Sequence, residues 1–346
     1  MANILDPQRV MKALEDGTIE KINSFFPLVG KKQTLVARNI YTTGDTDLDD
    51  IPSQKKARLR GRTWAQGVYG DFELVDNETG KVVDKVAKVK VAAVPKITRR
   101  YSYIIDGTEY QVDNQWRLKS GVYARRKANG ELESQFNLAT GRGFRLGFDP
   151  ARRRFLMGYG TSNVQLLPVL QALGIPDEDI RAAWGPELYA RGVSDKKRGE
   201  VVKLAKALVR GAAPANDTEA AAIVKEAYEK TALLKDTTAI TLGEGFDKVS
   251  GGALLASSRK LLAINRGEAE VDNRDSLRFK ELWSIDNHIP ERIGNSARRI
   301  KYKLGNNIDR KDSVRAIITP DVFNIPIKTF FTSTSLSQQT SQVNPV

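Results

Sequence analysis

Tyr101-Ser-Tyr-Ile-Ile-Asp-Gly-Thr-Glu-Tyr-Gln-Val112 is the stretch on which the fold turns. Its two halves are rich in aromatic and β-branched residues, which suit a pleated, half-buried surface. Between them stands Asp106-Gly107, a dipeptide that accepts positive φ at both central positions of a two-residue hairpin turn. An antiparallel hairpin is therefore expected here. Toward the N-terminus the β signals continue in Phe72 to Val75, a turn at Asn77 to Gly80, and the alternating Lys88-Val89-Lys90-Val91. Toward the C-terminus Asn129-Gly130 predicts another hairpin by the same logic.

Further out the pattern changes. Val10, Leu14, Ile19, Ile22 and Phe25 predict one or two short helices between Asp6 and Phe26. Residues Thr42 to Arg62 pass from an acidic to a basic cluster around Pro52 and read as an exposed connection. Beyond Val164 the apolar residues Val164, Leu167, Leu170 and Leu173 recur at helical spacing. Helices are expected over Asp177–Trp184, Ser194–Val209, Thr218–Leu234 and Ala253–Asn265, with Asp217-Thr218 as an N-cap ahead of Glu219 and a linker at Gly211–Asn216. A mixed segment follows, then a charge-free tail from Thr332 to Val346 whose composition alone reads as a disordered terminus. The order of elements predicts an α+β protein with a helical block, Val164 to Leu262, set into a strand-rich scaffold on either side.

Composition narrows the chemistry. The 346 residues include no cysteine and a single histidine, His288, which excludes disulfides, thiolate nucleophiles and His-pair zinc sites. No apolar run is long enough to span a bilayer, and no membrane association is expected. With 55 basic against 42 acidic residues the net charge is +13, which points to a polyanionic partner, nucleic acid above all. The basic residues cluster: Arg58, Arg60 and Arg62; Arg99-Arg100; Arg125-Arg126-Lys127; Arg152-Arg153-Arg154; Lys196-Lys197-Arg198; Arg298-Arg299 with Lys301 and Lys303. Trp64, Tyr101, Tyr103, Trp116 and Tyr123 lie near them as candidate stacking surfaces.

The other motifs are incomplete. Gly141-Arg-Gly143, Gly158-Tyr-Gly160 and Gly243-Glu-Gly245 do not extend to a phosphate loop and read as turns. Asp45-Thr-Asp47-Leu-Asp49 has divalent-metal spacing, yet Asp50 and Lys56 stand where a calcium loop needs Gly and Glu, so a solvated acidic loop is the better reading. His288, in the turn-like context Asp286-Asn287-His288-Ile289-Pro290, reads as a surface or hydrogen-bonded residue.

The tail carries more than its composition. Phe330-Phe331, Ser335-Leu336-Ser337-Gln338 and Gln342-x-Asn344-Pro345 resemble the segment of the multisubunit RNA polymerase β subunit where the rifamycin pocket meets the RNA:DNA hybrid. The family pattern is Phe-Phe-Gly-Ser-Ser-Gln-Leu-Ser-Gln-Phe-Met-Asp-Gln-Asn-Asn-Pro. Three further anchors follow in family order. Val94-Pro95-Lys-Ile-Thr98, Tyr103-Ile-Ile-Asp-Gly-Thr-Glu109, Gln115 and Gly121-Val-Tyr123 resemble the family's Pro-Leu-Met-Thr, Phe-Ile-Ile-Asn-Gly-x-Glu, Gln and Pro-Gly-Val-Tyr. Phe148-Asp-Pro150, Phe155 to Gly158 and Leu166-Leu-Pro168 resemble the β lobe, and Asp272-Asn-Arg-Asp275-Ser-Leu277 resembles the family's Asp-x-x-Asp-His-Leu.

There are departures: Tyr110 replaces the family's Arg, Arg117-Leu-Lys-Ser120 replaces His-Arg-Ser-Pro, and a later Gly-Asn-Arg-Arg is absent. Gly143 stands where cellular enzymes carry a tryptophan that stacks on a nontemplate base, Ser341 replaces the rifamycin-contacting Asp, and Gln339 replaces the aromatic ahead of it. In this divergence the chain is similar to the split β subunits of giant bacteriophage polymerases.

The resemblance implies a domain plan of 1–110 (N-terminal segment and first part of a protrusion), 111–271 (lobe), 272–331 (second part of the protrusion) and 332–346 (start of the fork and rifamycin-pocket segment). It implies nucleic-acid contacts at Arg99, Arg100, Arg117, Lys119, Asp275 and Arg278, with Asp275 at the position of an acidic residue that meets the nontemplate strand. Thr334, Leu336, Ser337, Gln338, Ser341 and Asn344 would line the path of the nascent RNA. No catalytic or metal-ligating residue is expected in this chain, since in the family the catalytic Mg²⁺ is held by β′. The implied partners are a C-terminal β-like chain, β′-like chains, template and nontemplate DNA and nascent RNA. The implied location is intracellular, in a bacterial host or phage compartment, with packaging in a virion an option. On the same reasoning 332–346 is expected to be disordered in the isolated chain and to order on a partner. A rival reading from another class is a stand-alone basic DNA-binding or packaging protein.

Overall fold

A computed structural model describes residues 6–43, 47–209, 211 and 214–340. Ser341 and Asn344 of the expected RNA path, and Asp45 of the acidic motif, lie outside the described residues. The chain divides into two compact units, one formed by residues 1–116 and 282–346 and the other by 117–281. The crossings fall at Trp116/Arg117 and Glu281/Leu282, whereas the sequence places them at 110/111 and 271/272. The first differs because Thr108–Val112 is strand-paired inside the first unit. The second differs because Asp272 and Phe279 are anchored in the second: the Asp272 carboxylate accepts the Ala124 N–H at 2.7 Å, and Phe279 packs edge-on against Tyr123 at 5.4 Å.

The first unit opens with one 17-residue helix, α1 (Pro7–Asn23), capped by Asp6, whose carboxylate accepts the Gln8 N–H at 3.0 Å. With Pro7 in the first turn the start is doubly specified, and Val10, Met11, Leu14 and Ile22 turn inward. Strands β1 (Leu28–Val29) and β2 (Gln33–Thr42) follow. The expected exposed connection holds a nine-residue helix instead, α2 (Ile51–Leu59). Its signal was Asp50 ahead of Pro52: the Asp50 carboxylate accepts the Ser53 N–H at 3.0 Å, and Pro52 occupies the first turn. Strands β3 (Ala65–Asp76) and β4 (Val82–Pro95) complete an antiparallel sheet in the order β1-β2-β3-β4. The hairpin of β5 (Ser102–Ile105) and β6 (Thr108–Val112) turns on Asp106 at φ 46° and Gly107 at φ 82°, the double positive-φ turn its sequence predicts. A Cβ on Gly107 would also stand 2.8 Å from the Cα of Gly61, so only glycine fits there. A short strand, β7 (Gln115–Leu118), leads out.

In the second unit β8 (Gly121–Arg126), β9 (Leu132–Asn137), β10 (Phe144–Asp149), β11 (Arg154–Tyr159) and β12 (Ser162–Gln165) form a five-stranded antiparallel meander. Among the described residues seven helices follow: α3 (Leu166–Ala172), α4 (Asp177–Trp184), α5 (Pro186–Ser194), α6 (Glu200–Leu208), α7 (Asp217–Glu229), α8 (Lys235–Leu242) and α9 (Gly251–Arg266). The sheet presents Val122, Phe136, Phe144, Leu146 and Met157 to a core shared with Leu170, Leu204, Val224 and Leu261. Phe136, Phe144 and Tyr159 stack at 4.3 and 4.5 Å between centroids. The expected helix from Ser194 to Val209 starts only at Glu200, because Gly199 adopts φ 74°. The cap of α7 is Asn216, which accepts the Glu219 N–H at 2.8 Å, rather than Asp217-Thr218. Helix α8 escapes the sequence reading since its inward residues are Thr237, Thr238 and Thr241, with Leu242 as the one buried apolar residue. Two of the threonines satisfy their hydroxyls on carbonyls: Thr238 Oγ1 donates to Phe246 O at 2.9 Å and Thr241 Oγ1 to Thr237 O at 3.1 Å.

The chain returns through β13 (Lys280–Trp283), which pairs with β7, and continues as α10 (Ile285–Asn295), α11 (Ala297–Ile308), α12 (Val314–Ile317), α13 (Asp321–Ser333) and β14 (Ser337–Gln339). The α+β class holds, but the strand-rich return expected after the helical block is a correction. Four helices occupy it, their inward faces written as Ile285, Ile289 and Ile293, and as Ile300, Leu304 and Ile308. His288 is likewise not at the surface. It is 2% exposed within α10, stacked on Phe330 at 5.7 Å and tilted against Trp283 at 5.9 Å. The tail, too, departs from expectation over 332–340. Helix α13 runs through Ser333, and β14 adds to β6 in the order β14-β6-β5, pairing Ser337 with Val112, Gln338 with Gln111 and Gln339 with Tyr110. The partner that orders these residues is a strand of the same chain.

Candidate nucleic-acid interface

The expected contact residues fall in both units. In the first unit Arg99 and Arg100 sit between β4 and β5, in a turn closed by a 2.6 Å hydrogen bond between the Thr98 and Ser102 hydroxyls. Both side chains are exposed, at 76% and 67%, yet neither is loose. Arg99 pairs with Asp49, and Arg100 Nη2 donates to Glu109 Oε1 at 3.0 Å. Glu109, 10% exposed, also takes Arg58 at 3.4 Å and the Ser102 hydroxyl. Two guanidinium groups on one carboxylate leave a net positive patch held in fixed positions, the preorganisation that a phosphate contact rewards. Glu109 itself was among the matched residues, but its role as the hub shows only once Arg58 is brought to it from α2.

In the second unit Lys119 and Arg278 come together: the Lys119 ammonium donates to the Arg278 carbonyl at 3.1 Å, and the Lys119 N–H to the Phe279 carbonyl at 2.8 Å. Arg117 lies in β7 just before Lys119 and is half-buried. The two carboxylates of Asp272-x-x-Asp275 have separate tasks. Asp272 is structural, 11% exposed, with Lys260 at 2.7 Å. Asp275 is fully exposed, pairs with Lys280 at 3.7 Å, and can meet a ligand.

The solvent face of the meander carries a groove that motif reading did not find. It has a volume of about 840 Å³, a floor at Gly147 and Gly158, and a rim that includes Lys127, Arg142, Arg145 and Arg152. Beneath it Glu133, 3% exposed, holds Arg125, Lys127 at 3.3 Å and Arg145 at 3.9 Å. The signal was the register itself, which sets Glu133 opposite Arg125 on β8 and diagonal to Arg145 on β10. Gly143 lines the same groove, and a Cβ there would come within 2.9 Å of the Phe136 carbonyl. A tryptophan at this position would therefore have to displace backbone.

The tail residues do what a strand addition requires. Thr334 Oγ1 donates to Phe330 O at 2.7 Å, Leu336 packs against the core, and its carbonyl accepts the Asp113 N–H at 2.8 Å. Gln338 is exposed and donates to Asp113 Oδ2 at 3.3 Å, and Thr340 returns its N–H to Glu109 O at 3.0 Å. Ser337 Oγ is buried with no hydrogen-bond partner among the described residues. Tyr110, at the family's Arg position, packs edge-on against Phe331 at 6.2 Å. Of the candidate stacking aromatics, Tyr101 and Trp116 are exposed at 38% and 57%, whereas Trp64, Tyr103 and Tyr123 are core residues and are removed from that list.

Among the described residues no three acidic, histidine or cysteine side chains gather as a metal site. Asp47 Oδ1 accepts the Asp49 N–H at 2.8 Å and Asp49 pairs with Arg99. Among the same residues no helix is long and apolar enough to cross a membrane.

The fold and this interface define a two-unit α+β protein in which the largely buried carboxylates Glu109 and Glu133 each gather basic side chains at the surface. No family model matches the chain. It is similar to proteins named DNA-directed RNA polymerase subunit beta: 25% identical to that of Synechococcus elongatus, with 96% of this chain and 32% of the relative aligned. The corresponding values are 24%, 96% and 32% for Prochlorococcus marinus, and 23%, 96% and 32% for Trichormus variabilis. The chain thus spans about a third of the length of the curated relatives it matches. These similarities support a β-like RNA polymerase subunit.

Proposed function

We propose that this chain is the N-terminal part of a split β-like subunit in a multisubunit DNA-dependent RNA polymerase, of the kind found in giant bacteriophages. The observation that carries the reading is collinear similarity to β subunits over 96% of the chain and 32% of theirs. In this reading residues 1–116 and 282–331 serve as the protrusion, 117–281 as the lobe, and the tail as the start of the fork. Arg99, Arg100, Arg117, Lys119 and Arg278 hold DNA through phosphates, which position the duplex without reading its sequence. Asp275 meets the nontemplate strand, and Thr334, Leu336, Ser337 and Gln338 stand along the RNA path, with Ser341 and Asn344 beyond them. In this reading nucleotidyl transfer is the task of the assembled enzyme, with Mg²⁺ supplied by a β′-like partner and this chain serving to position the nucleic acid.

The rival is a stand-alone basic DNA-binding or packaging protein, favoured by the net charge of +13 alone. Salt-dependent DNA binding is common to both readings. Native purification of the tagged chain separates them. The polymerase reading requires stoichiometric recovery of a chain that supplies the rest of β and a chain with an Asp-x-Asp-x-Asp loop. Recovery of the chain alone refutes it.

A further inference from the structure

The second unit has a groove of about 870 Å³ between α3, the α5–α6 connection and the start of α7, remote in sequence from every residue assigned above. Its floor is apolar: Pro168, Ala172, Val201 and Ala221, with Val193 on its edge at 46% exposure. Its rim is of one sign, Lys196, Lys197, Arg198 and Lys225, and among the described residues none of these cations forms an ion pair. The two carboxylates at the site do not neutralise it. Glu200 is 8% exposed and committed to the Gln165 N–H at 2.7 Å, and Asp217 is a single charge at the start of α7. Elsewhere in this unit Arg153 pairs with Glu187 and Arg259 with Glu244.

We propose that this groove docks an acidic amphipathic helix presented by another protein. The assignment does not depend on the polymerase reading. An apolar floor loses water favourably only to apolar side chains, which excludes a phosphate backbone as the main occupant. Lys196 Nζ donates to Gln171 Oε1 at 2.7 Å, and with Lys197, Arg198 and Lys225 it makes a cationic rim that asks for carboxylates on either side of those side chains. A helix with apolar residues at i, i+3, i+4 and i+7 and glutamates flanking them meets both demands.

The test uses the 346-residue chain and a fluorescein-labelled peptide. The peptide has about 16 residues, roughly four helical turns, with leucines at that spacing and glutamates elsewhere. Fluorescence anisotropy is expected to show saturable binding. Val193→Glu, an exposed position that leaves the core intact, is expected to raise Kd at least about tenfold, as is the triple change Lys196→Glu, Lys197→Glu, Arg198→Glu. Hydrogen exchange of the complex is expected to slow in α6 and the first turn of α7. A peptide that fails to bind, or one that binds with an unchanged Kd in both variants, overturns the proposal. A single-stranded oligonucleotide that displaces the peptide at comparable affinity, insensitive to Val193→Glu, also overturns it by assigning the rim to phosphates.

Discussion

Glu109 is the position where a single atom change should report on the whole first-unit patch. Its carboxylate is 10% exposed and receives Arg58 at 3.4 Å, Arg100 at 3.0 Å and the Ser102 hydroxyl. In Glu109→Gln the shape is kept, but one acceptor becomes a donor and the charge is lost. Breaking a fully buried pair costs about 3–5 kcal/mol. Arg58 and Arg100 keep 35% and 67% of their surfaces in water, so solvent screens part of that loss. A cost of about 2 kcal/mol follows, which for a unit of this size lowers Tm by roughly 4–8 °C. Calorimetry and urea titration measure it directly. A double-mutant cycle with Arg100→Ala should return a coupling of about 1 kcal/mol, because the two groups share one network. A destabilisation below about 0.5 kcal/mol, typical of a solvated surface site, would refute the description of Glu109 as a hub.

Removing residues 336–346 should destabilise the first unit by about 1–3 kcal/mol, since β6 loses the strand that covers its edge; an unchanged urea midpoint would show that β14 does not form in solution. Asp272→Asn should cost about 3 kcal/mol by stranding Lys260, which is 14% exposed, whereas Asp275→Asn, fully exposed, should leave Tm unmoved; equal shifts in thermal melts would erase the distinction. Glu73 is held below the ordinary glutamate range, first by its hydrogen bond to Arg38 and then by that to Lys85. A depressed carboxyl adds stability that is present above its unfolded value near about pH 4.3 and is lost as pH falls through the lower folded value. The deficit of Glu73→Gln should accordingly be constant from about pH 6 to 8 and close below about pH 4, and a deficit that persists in acid would contradict the assigned cause.

What the sequence made legible was the local chemistry. Asp106-Gly107 specified its turn because two consecutive positive φ values admit few residues, and the Asp177–Trp184 helix was read to its bounds. Burial periodicity at 285–308 was present but went unread, because Pro290 and the polar residues around His288 suggested a turn. Pro290 is tolerated in mid-helix where α10 packs on α1, at Gly17, whose Cβ would lie 3.2 Å from the Pro290 ring. Threonine-lined α8, with Leu242 as its one buried apolar residue, left no apolar periodicity to follow. The site fared similarly. Charge clusters showed where cations are, but not that Glu109 and Glu133 hold them, because those pairings join residues 51 and 12 positions apart through strand register and helix packing. The tail was misread for a related reason: Ser, Thr and Gln carry no core signal, and the order of β14 comes from backbone pairing with β6.

Template-directed RNA synthesis by a complex purified through this chain tests the central claim most directly. The account predicts that the complex incorporates labelled nucleotide in a DNA- and Mg²⁺-dependent manner, that complex assembled without this chain does not, and that the isolated chain is inert. Synthesis that persists at full rate when the chain is omitted, or a chain that never enters a polymerase complex, would contradict it.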